Sequence, residues 1–451
     1  MGITDFEVND WQDDLRVWLE PFVAALERSE QRHWALLYLR GLLGPGARKS
    51  VEPMAERVCP GQTQQLHHFV CTSPWSTEPL QQVLRHRADA LVGGDDAALI
   101  VDDTALLKQG RHSVGVKHQY CGLLGKQANC QVLVSLTLAR EEVPVPIDLR
   151  LYLPEDWAAD EARRAAAKVP ESIGFMTKGN IALAQIDQAL ADGVRFAIVL
   201  ADAGYGTAAA FRAGLTARGL LWAVGVLSTH KVYPADVRLE AAPRTALGRP
   251  PKHPRPSAPS VAAKDMIESL GLRALRRCSW RCGTKGALAA RFAAVRVRVA
   301  DGAPIRGGQH LPGQAVWLVC ELRSTGERKY YFTNHPPSAS RMTLVRAINA
   351  RWACEQAHQQ LKDELGLDHF EGRSWLGLHH HALLSMMAFA YLRHHRFLQA
   401  SRSGEKTRAD RAGPAPSAVA ARGAARHHRG ALPRDLHPLP PLRRLREYVP
   451  A

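Results

Sequence analysis

Two aliphatic runs in this chain end on aspartate. ALIVDDT, residues 98–104, stops on the pair Asp102 and Asp103, and FAIVLADAGYG, residues 196–206, stops on Asp202. Carboxylates at the ends of buried strands are costly to ionise unless a cation or hydrogen-bond donors compensate them. Two such acids on neighbouring strands suit a divalent ion held between them, and hard oxygen ligands select Mg2+ or Mn2+ rather than zinc. Side chains of a strand alternate between faces, so Asp102 and Asp103 point opposite ways and cannot have the same job. Asp202 alone would read as a cap on the turn Ala-Gly-Tyr-Gly. Two strands ending alike favour the metal reading.

A third acid comes from RWACEQAHQQLKDELGLDHFEGRSW, residues 351–375. Arg351, Glu355 and Lys362 are separated by four and seven residues, which puts them on one face of a helix. A carboxylate flanked by two cations on its own face can complete a metal site while the cations grip phosphate beside it. An ordinary surface ion pair would have the same spacing. Asp363 and Glu364 compete as third ligand but lie off that face, so Glu355 is preferred. Lys108, Arg111, His112 and Lys117 follow the first acid in a basic, Gly-containing stretch, which suits either a solvated hairpin or contacts to the backbone of a polyanion, which carry affinity rather than sequence information. Trp280, Trp352 and Trp375 are expected in the core rather than stacked on bases. His379, His380 and His381 are consecutive helical residues that point in different directions and cannot share one ion.

The elements that must position these residues follow from periodicity. Residues 1–92 read as helical, with apolar positions three and four apart in DDLRVWLEPFVAAL and RHWALLYLRGLLGPG. From about 95 the pattern becomes three consecutive strands, an antiparallel meander, followed by alternating helix and strand up to LLWAVGVL. This predicts an α/β protein with a mixed sheet flanked by helices, its first part at 93–225. Residues 226–342 read as a β-rich insertion that begins with a Pro/Arg-rich loop, AAPRTALGRPPKHPRPSAPS. A long helix is expected from about Thr343 to Leu365 and a second, apolar one after it, both within 343–397. The end, 398–451, is Ala/Pro/Arg-rich, with eleven Lys/Arg against four Asp/Glu beyond Ser401, and reads as a disordered basic tail.

Composition narrows the partners. The chain has 451 residues, 46% of them hydrophobic, and 59 Lys+Arg against 43 Asp+Glu give a formal charge of +16. That balance favours a polyanion such as nucleic acid over a small neutral metabolite. The acidic start, MGITDFEVND, and the lack of an apolar run near the roughly 18 residues of a membrane span lead us to expect a cytoplasmic protein with no membrane partner. Eight dispersed cysteines argue against a disulfide framework, and Cys278 and Cys282 have no second pair at metal-ligand spacing.

Taken in order, these motifs resemble the DDE transposases of bacterial insertion sequences, which have a ribonuclease-H-like core and the signature Tyr, two residues, Arg, three, Glu, six, Lys. Arg351, Glu355 and Lys362 match its last three terms, and Ile348 stands at the tyrosine position. Residues 102–132, 201–206 and 365–384 look specifically like the groups numbered four and seven hundred and one. In that family the first acid directly precedes threonine. The resemblance therefore implies Asp103, Asp202 and Glu355 as catalytic metal ligands, with Arg351, Lys362, Lys108, Arg111 and Lys117 toward DNA phosphate.

It further implies two Mg2+ ions, replaceable by Mn2+, in-line displacement at phosphorus, and joining of the element's freed ends to target DNA. The implied partners are double-stranded DNA, as terminal inverted repeats and target, and a second copy of the chain in a synaptic complex; the setting is bacterial and nucleoid-associated. Asp102 is then an edge residue beside the site. By position, the helical N-terminal region is the candidate for recognising the ends, although it carries no recognisable helix-turn-helix signature. The rival readings are a metal-dependent endonuclease that cuts without joining, and a DNA-binding derivative whose site is no longer used.

Overall fold

The computed structural model describes residues 4–240, 254–283, 286–305 and 308–411. Most of the Pro/Arg-rich loop and most of the expected basic tail, residues 412–451, lie outside the described residues. Five helices come first: α1 (Thr4–Ala24), α2 (Ser29–Leu43), α3 (Val51–Val58), α4 (Thr63–Cys71) and α5 (Glu78–Val92). The sheet begins with β1 (Ala98–Leu107), β2 (Lys117–Cys121), β3 (Lys126–Arg140) and β4 (Val143–Leu151), all joined antiparallel through β3. Helix α6 (Lys178–Ala191) crosses over to β5 (Ile198–Ala201), and α7 (Ala209–Ala217) crosses to β6 (Trp222–Val226). β5 lies parallel to β1, and β6 parallel to β5. A meander continued by two parallel crossover strands is the ribonuclease-H-like mixed sheet expected from the sequence.

The segment 226–342 holds β7 (Lys231–Pro234), β8 (Arg276–Gly283), β9 (Gly286–Val299), β10 (Ala315–Leu322) and β11 (Arg328–Thr333). These strands do not form a sheet of their own. β11 pairs antiparallel with β6, and the run β7–β9–β10–β11, with the two-residue strand Val261–Ala262 beside β7, extends the core into one sheet of 12 strands among the described residues. Every pairing in the extension is antiparallel.

The expected long helix is two: α8 (Arg341–Asn349), capped by Ser340, and α9 (Trp352–Asp363). At the break the Asn349 side chain donates to the Val345 carbonyl, competing for an acceptor of the helix ladder. The next backbone bonds, Ala350 to Ala347 and Ala353 to Ala350, are of the tighter three-residue type. The last helix, α10 (Trp375–Arg411), runs past position 398, where the tail was expected to begin.

The alternation of β1 divides the interior. Leu99 and Val101 join a large core with α1–α6 and the buried part of α10. Ala98 and Ile100 face a smaller core with Leu344, Val345 and Ile348 of α8 and Ala353 and Cys354 of α9. In β5 the division repeats, Val199 and Ala201 on the large-core face and Leu200 on the other. The N-terminal helices are tied to the sheet by charge as well. Arg85 of α5, almost fully buried, pairs with Asp192 beyond α6, with Glu78 at 2.7 Å, and lies 3.9 Å from Asp148 of β4.

The three histidines of α10 have separate partners. His379 meets the Trp375 carbonyl and the Leu151 amide, His380 the carbonyls of Val70 and Trp75, and His381 the Tyr38 hydroxyl at 2.8 Å and the Gly366 carbonyl. They are fastenings between α10 and its neighbours. The described cysteine side chains are free thiols, and Cys282 lies outside that set. Among the described residues no helix is long and apolar enough to cross a membrane.

Candidate active site

The register between β1 and β5 decides which acids meet. Val101 is paired with Ala201 across two parallel strands, so the next residues, Asp102 and Asp202, continue side by side. In-register neighbours project from the same face of a sheet. For this pair it is the face of Ile100 and Leu200, the one covered by α8 and α9. Asp202 sits at the entrance of a tight turn and its Oδ1 accepts the Tyr205 amide at 3.2 Å. The turn rests on β6 so closely that a Cβ at Gly206 would lie 2.0 Å from the Gly225 carbonyl oxygen, and one at Gly225 would lie 2.8 Å from the Ala203 nitrogen. Only glycine at both places lets the Asp202 turn dock there. Asp202 is thus both the turn cap and a neighbour of Asp102.

Arg351, at the break before α9, joins β1 to the third acid. Its guanidinium donates to Asp102 Oδ2 at 2.5 Å and to Glu355 Oε1 one helical turn on. The backbone amide of Asp103 donates to Asp102 Oδ1 at 2.8 Å. Burial pushes the Asp102 carboxyl up to about 7; Arg351 pulls against this, and the charge of Asp202 adds to the rise. For Arg351 itself, burial opposes the charge, but Asp102, Glu355 and Asp202 outweigh it and raise its pKa. Arg351 thus holds Asp102 and Glu355 directly and feels the charge of Asp202, so the face carries more negative charge than that cation neutralises, although the oxygens of the three acids do not all lie within 4.8 Å of one another. Hard oxygen donors with uncompensated charge are of the kind that hold a divalent cation.

Asp103 is on the other face. Its Oδ1 accepts the Tyr205 hydroxyl and its Oδ2 the Lys178 ammonium, each at 2.5 Å. The Lys178 ammonium also lies 5.5 Å above the Tyr152 ring. This closed network ties β1 to the start of α6 and to the Asp202 turn, away from Glu355. Asp103, expected as the first acid, therefore faces away from Glu355, and Asp102, expected at the edge, faces toward it.

The other expected phosphate contacts are dispersed. Lys362 is buried at the end of α9, where burial lowers its pKa. Lys108 donates to the Phe370 carbonyl at 2.6 Å, and burial lowers its pKa as well. Lys117 pairs with Asp156 at 2.8 Å, while Arg111 is exposed. The tryptophans pack in the protein: Trp280 lies edge-on to Phe292, the Arg281 guanidinium covers the Trp352 ring at 4.2 Å, and Trp375 is buried against His379.

Beneath Asp102 the sequence reading missed a second group. Cys354 and His358 of α9 face Ser135 and Thr137 of β3: His358 Nε2 is 2.7 Å from Ser135 Oγ and 3.5 Å from Cys354 Sγ, which is 3.3 Å from Thr137 Oγ1. Among the described residues, Asp102, Cys354 and His358 are the one group of potential metal ligands whose donor atoms all lie within 4.8 Å of one another. Burial pushes the Cys354 thiol up to about 12 and holds His358 down to about 3, so both are neutral. Their four-residue spacing was the available signal.

Adjacent strands β1 and β5 thus each deliver an aspartate to one face of the mixed sheet, and Arg351 links the first of them to a glutamate of α9. The chain belongs to the DDE superfamily endonuclease family, whose profile matches residues 21–287. That stretch includes Asp102, Asp103 and Asp202; Glu355 lies beyond it. The chain is also 32% identical over 200 residues to a protein of Microchaete diplosiphon described as a probable transposase for insertion sequence element IS701. The match takes in 44% of this chain and 50% of the relative, so the chain spans about half the length of the curated relative it matches. Among solved structures, the piggyBac transposase in a synaptic complex with hairpin DNA aligns over 83% of this chain and 68% of its own, with TM-score 0.39 and 9% identity.

Proposed function

We propose that the protein is a transposase that cuts the ends of an insertion sequence and joins them to target DNA, using Asp102, Asp202 and Glu355 as the acids that hold Mg2+. The observation that carries this reading is the in-register placement of Asp102 beside Asp202, with Arg351 linking Asp102 to Glu355. Bound there, Mg2+ would supply a hydroxyl nucleophile at neutral pH and charge stabilisation at phosphorus. The chain's own residues do the rest. Asp102 and Asp202 are fixed by strand pairing, Glu355 is exposed, and Arg351 links Asp102 to Glu355 and can move onto a phosphate oxygen when a metal takes over its role. The +16 charge supplies non-specific attraction to the DNA backbone. Asp102 takes the place the sequence motif gave to Asp103, whose network with Lys178 and Tyr205 positions the Asp202 turn. The expected two-ion arrangement, terminal-repeat recognition by the N-terminal helices and pairing of two copies belong to the same reading.

The test is cleavage and strand transfer on DNA carrying the flanking terminal repeats, with Mg2+ present. Asp102→Asn, Asp202→Asn and Glu355→Gln should each abolish both steps while DNA binding persists. Undiminished cutting by any of the three would remove that residue from the site. Cutting without joining by the wild type would leave an endonuclease rather than a transposase.

A further inference from the structure

The group beneath the carboxylate cluster has ligands of a different kind. Cys354 and His358 are four residues apart on the buried side of α9, so both donor atoms point at the same spot. Their separation, 3.5 Å from Sγ to Nε2, can be compared with what a tetrahedral ion needs. With zinc–sulfur near 2.3 Å and zinc–nitrogen near 2.0 Å, the two donors must stand about 3.5 Å apart. An Asp102 oxygen completes the trio within 4.8 Å. Thr137 Oγ1, 3.3 Å from Sγ, is placed to donate to a thiolate, and Ser135 Oγ, 2.7 Å from Nε2, occupies that nitrogen in the metal-free protein and must turn away from it when an ion binds.

We propose that Cys354, His358 and Asp102 form a second metal site, selective for zinc-class ions, which shares Asp102 with the carboxylate cluster. Thiolate and imidazole are soft to borderline donors, so this trio prefers zinc to magnesium, whereas Asp202 and Glu355 offer only hard oxygens. The ion reaches the trio through Asp102, whose side chain is 14% exposed. Binding expels the Cys354 thiol proton to water and forms bonds to sulfur, nitrogen and oxygen, with no change of oxidation state. Arg351 loses Asp102 but keeps Glu355. On the reading of Asp102 as a Mg2+ ligand, an ion held this way removes that acid from the magnesium site, so zinc is an inhibitor.

The experiment uses the full-length protein and Co2+, a spectroscopic stand-in for zinc. One equivalent should give a near-ultraviolet thiolate-to-cobalt band and the visible bands of a tetrahedral ion, both lost when Zn2+ displaces the cobalt. Cys354→Ser and Cys354→Ala should lose the near-ultraviolet band, and His358→Gln should weaken cobalt binding at least tenfold. These losses are required of every variant that melts like the wild type. Absence of the band in the wild type, or its persistence in a folded Cys354 variant, overturns the site. Cleavage separates the two layers of the inference: zinc should suppress Mg2+-supported cutting in the wild type and need at least tenfold higher concentration in a folded Cys354 variant. A cobalt site that forms as described without inhibition would uphold the trio and overturn Asp102 as the magnesium ligand.

Discussion

The substitution Asp102→Asn should make the protein more stable and inactive at once. In the fold the Asp102 carboxyl gives up its proton near pH 7, against 3.8 for a free side chain. Between those values the folded state binds more protons than the unfolded one, so this group's contribution to stability is full below about pH 4 and is lost as the pH rises through 7. At about 1.4 kcal/mol for each pH unit separating the two values, the ionised carboxylate costs the fold about 4 kcal/mol at pH 8. Asparagine has nearly the shape of the neutral acid and keeps an oxygen for Arg351. It should therefore recover most of that energy at pH 8 and almost none at pH 4. Thermal melts at the two pH values, without divalent metal, measure the difference.

Mg2+ should raise the wild-type Tm at pH 8, by preferential binding to the folded chain, and leave the Asp102→Asn Tm almost unchanged. Cleavage should fall at least about 10²-fold, as expected for a lost metal ligand. Asp103→Asn should instead destabilise by about 2 kcal/mol, through its charged hydrogen bonds to Lys178 and Tyr205, and respond to Mg2+ like the wild type. The reasoning fails if Asp102→Asn is less stable than the wild type at pH 8, or if it cuts DNA at the wild-type rate.

Arg85→Ala leaves Asp192 buried without its cation and should lower stability by about 3–5 kcal/mol, read as a Tm drop that Arg85→Lys only partly repairs. Tyr38→Phe deletes the hydroxyl that meets His381 Nδ1 in the core and should cost about 1–3 kcal/mol in denaturant unfolding, with m unchanged. In DNA binding as a function of salt, Arg111→Ala should reduce the slope of log K against log salt by about one, as for one lost phosphate contact. Lys117→Ala should change it less, because Lys117 is already paired with Asp156.

What the sequence made legible was local. Alternation in residues 98–107 and the helix–strand alternation after the meander are properties of neighbouring residues, and they led to the mixed sheet and to the opposite directions of Asp102 and Asp103. Which direction leads to Glu355 depends on pairing Val101 with Ala201, a hundred residues away, and on which face α8 and α9 cover. A register shift of one residue would exchange the two aspartates, and neither run encodes its own register. For the same reason the insertion strands were recognisable as strands but not as extensions of the core sheet, since β11 could have paired with any free edge. Lys362 shows a different limit. Helical spacing assigned it to the face of Arg351 and Glu355, but seven residues of helix advance about 10 Å, and Lys362 is buried whereas Glu355 is exposed, so the spacing did not make a shared site. Cys354 and His358 obey the same spacing rule at half that reach, about 6 Å along the axis, short enough for both side chains to converge. A spacing argument therefore locates a site when the donors lie within about one helical turn, and beyond that only the tertiary partner decides.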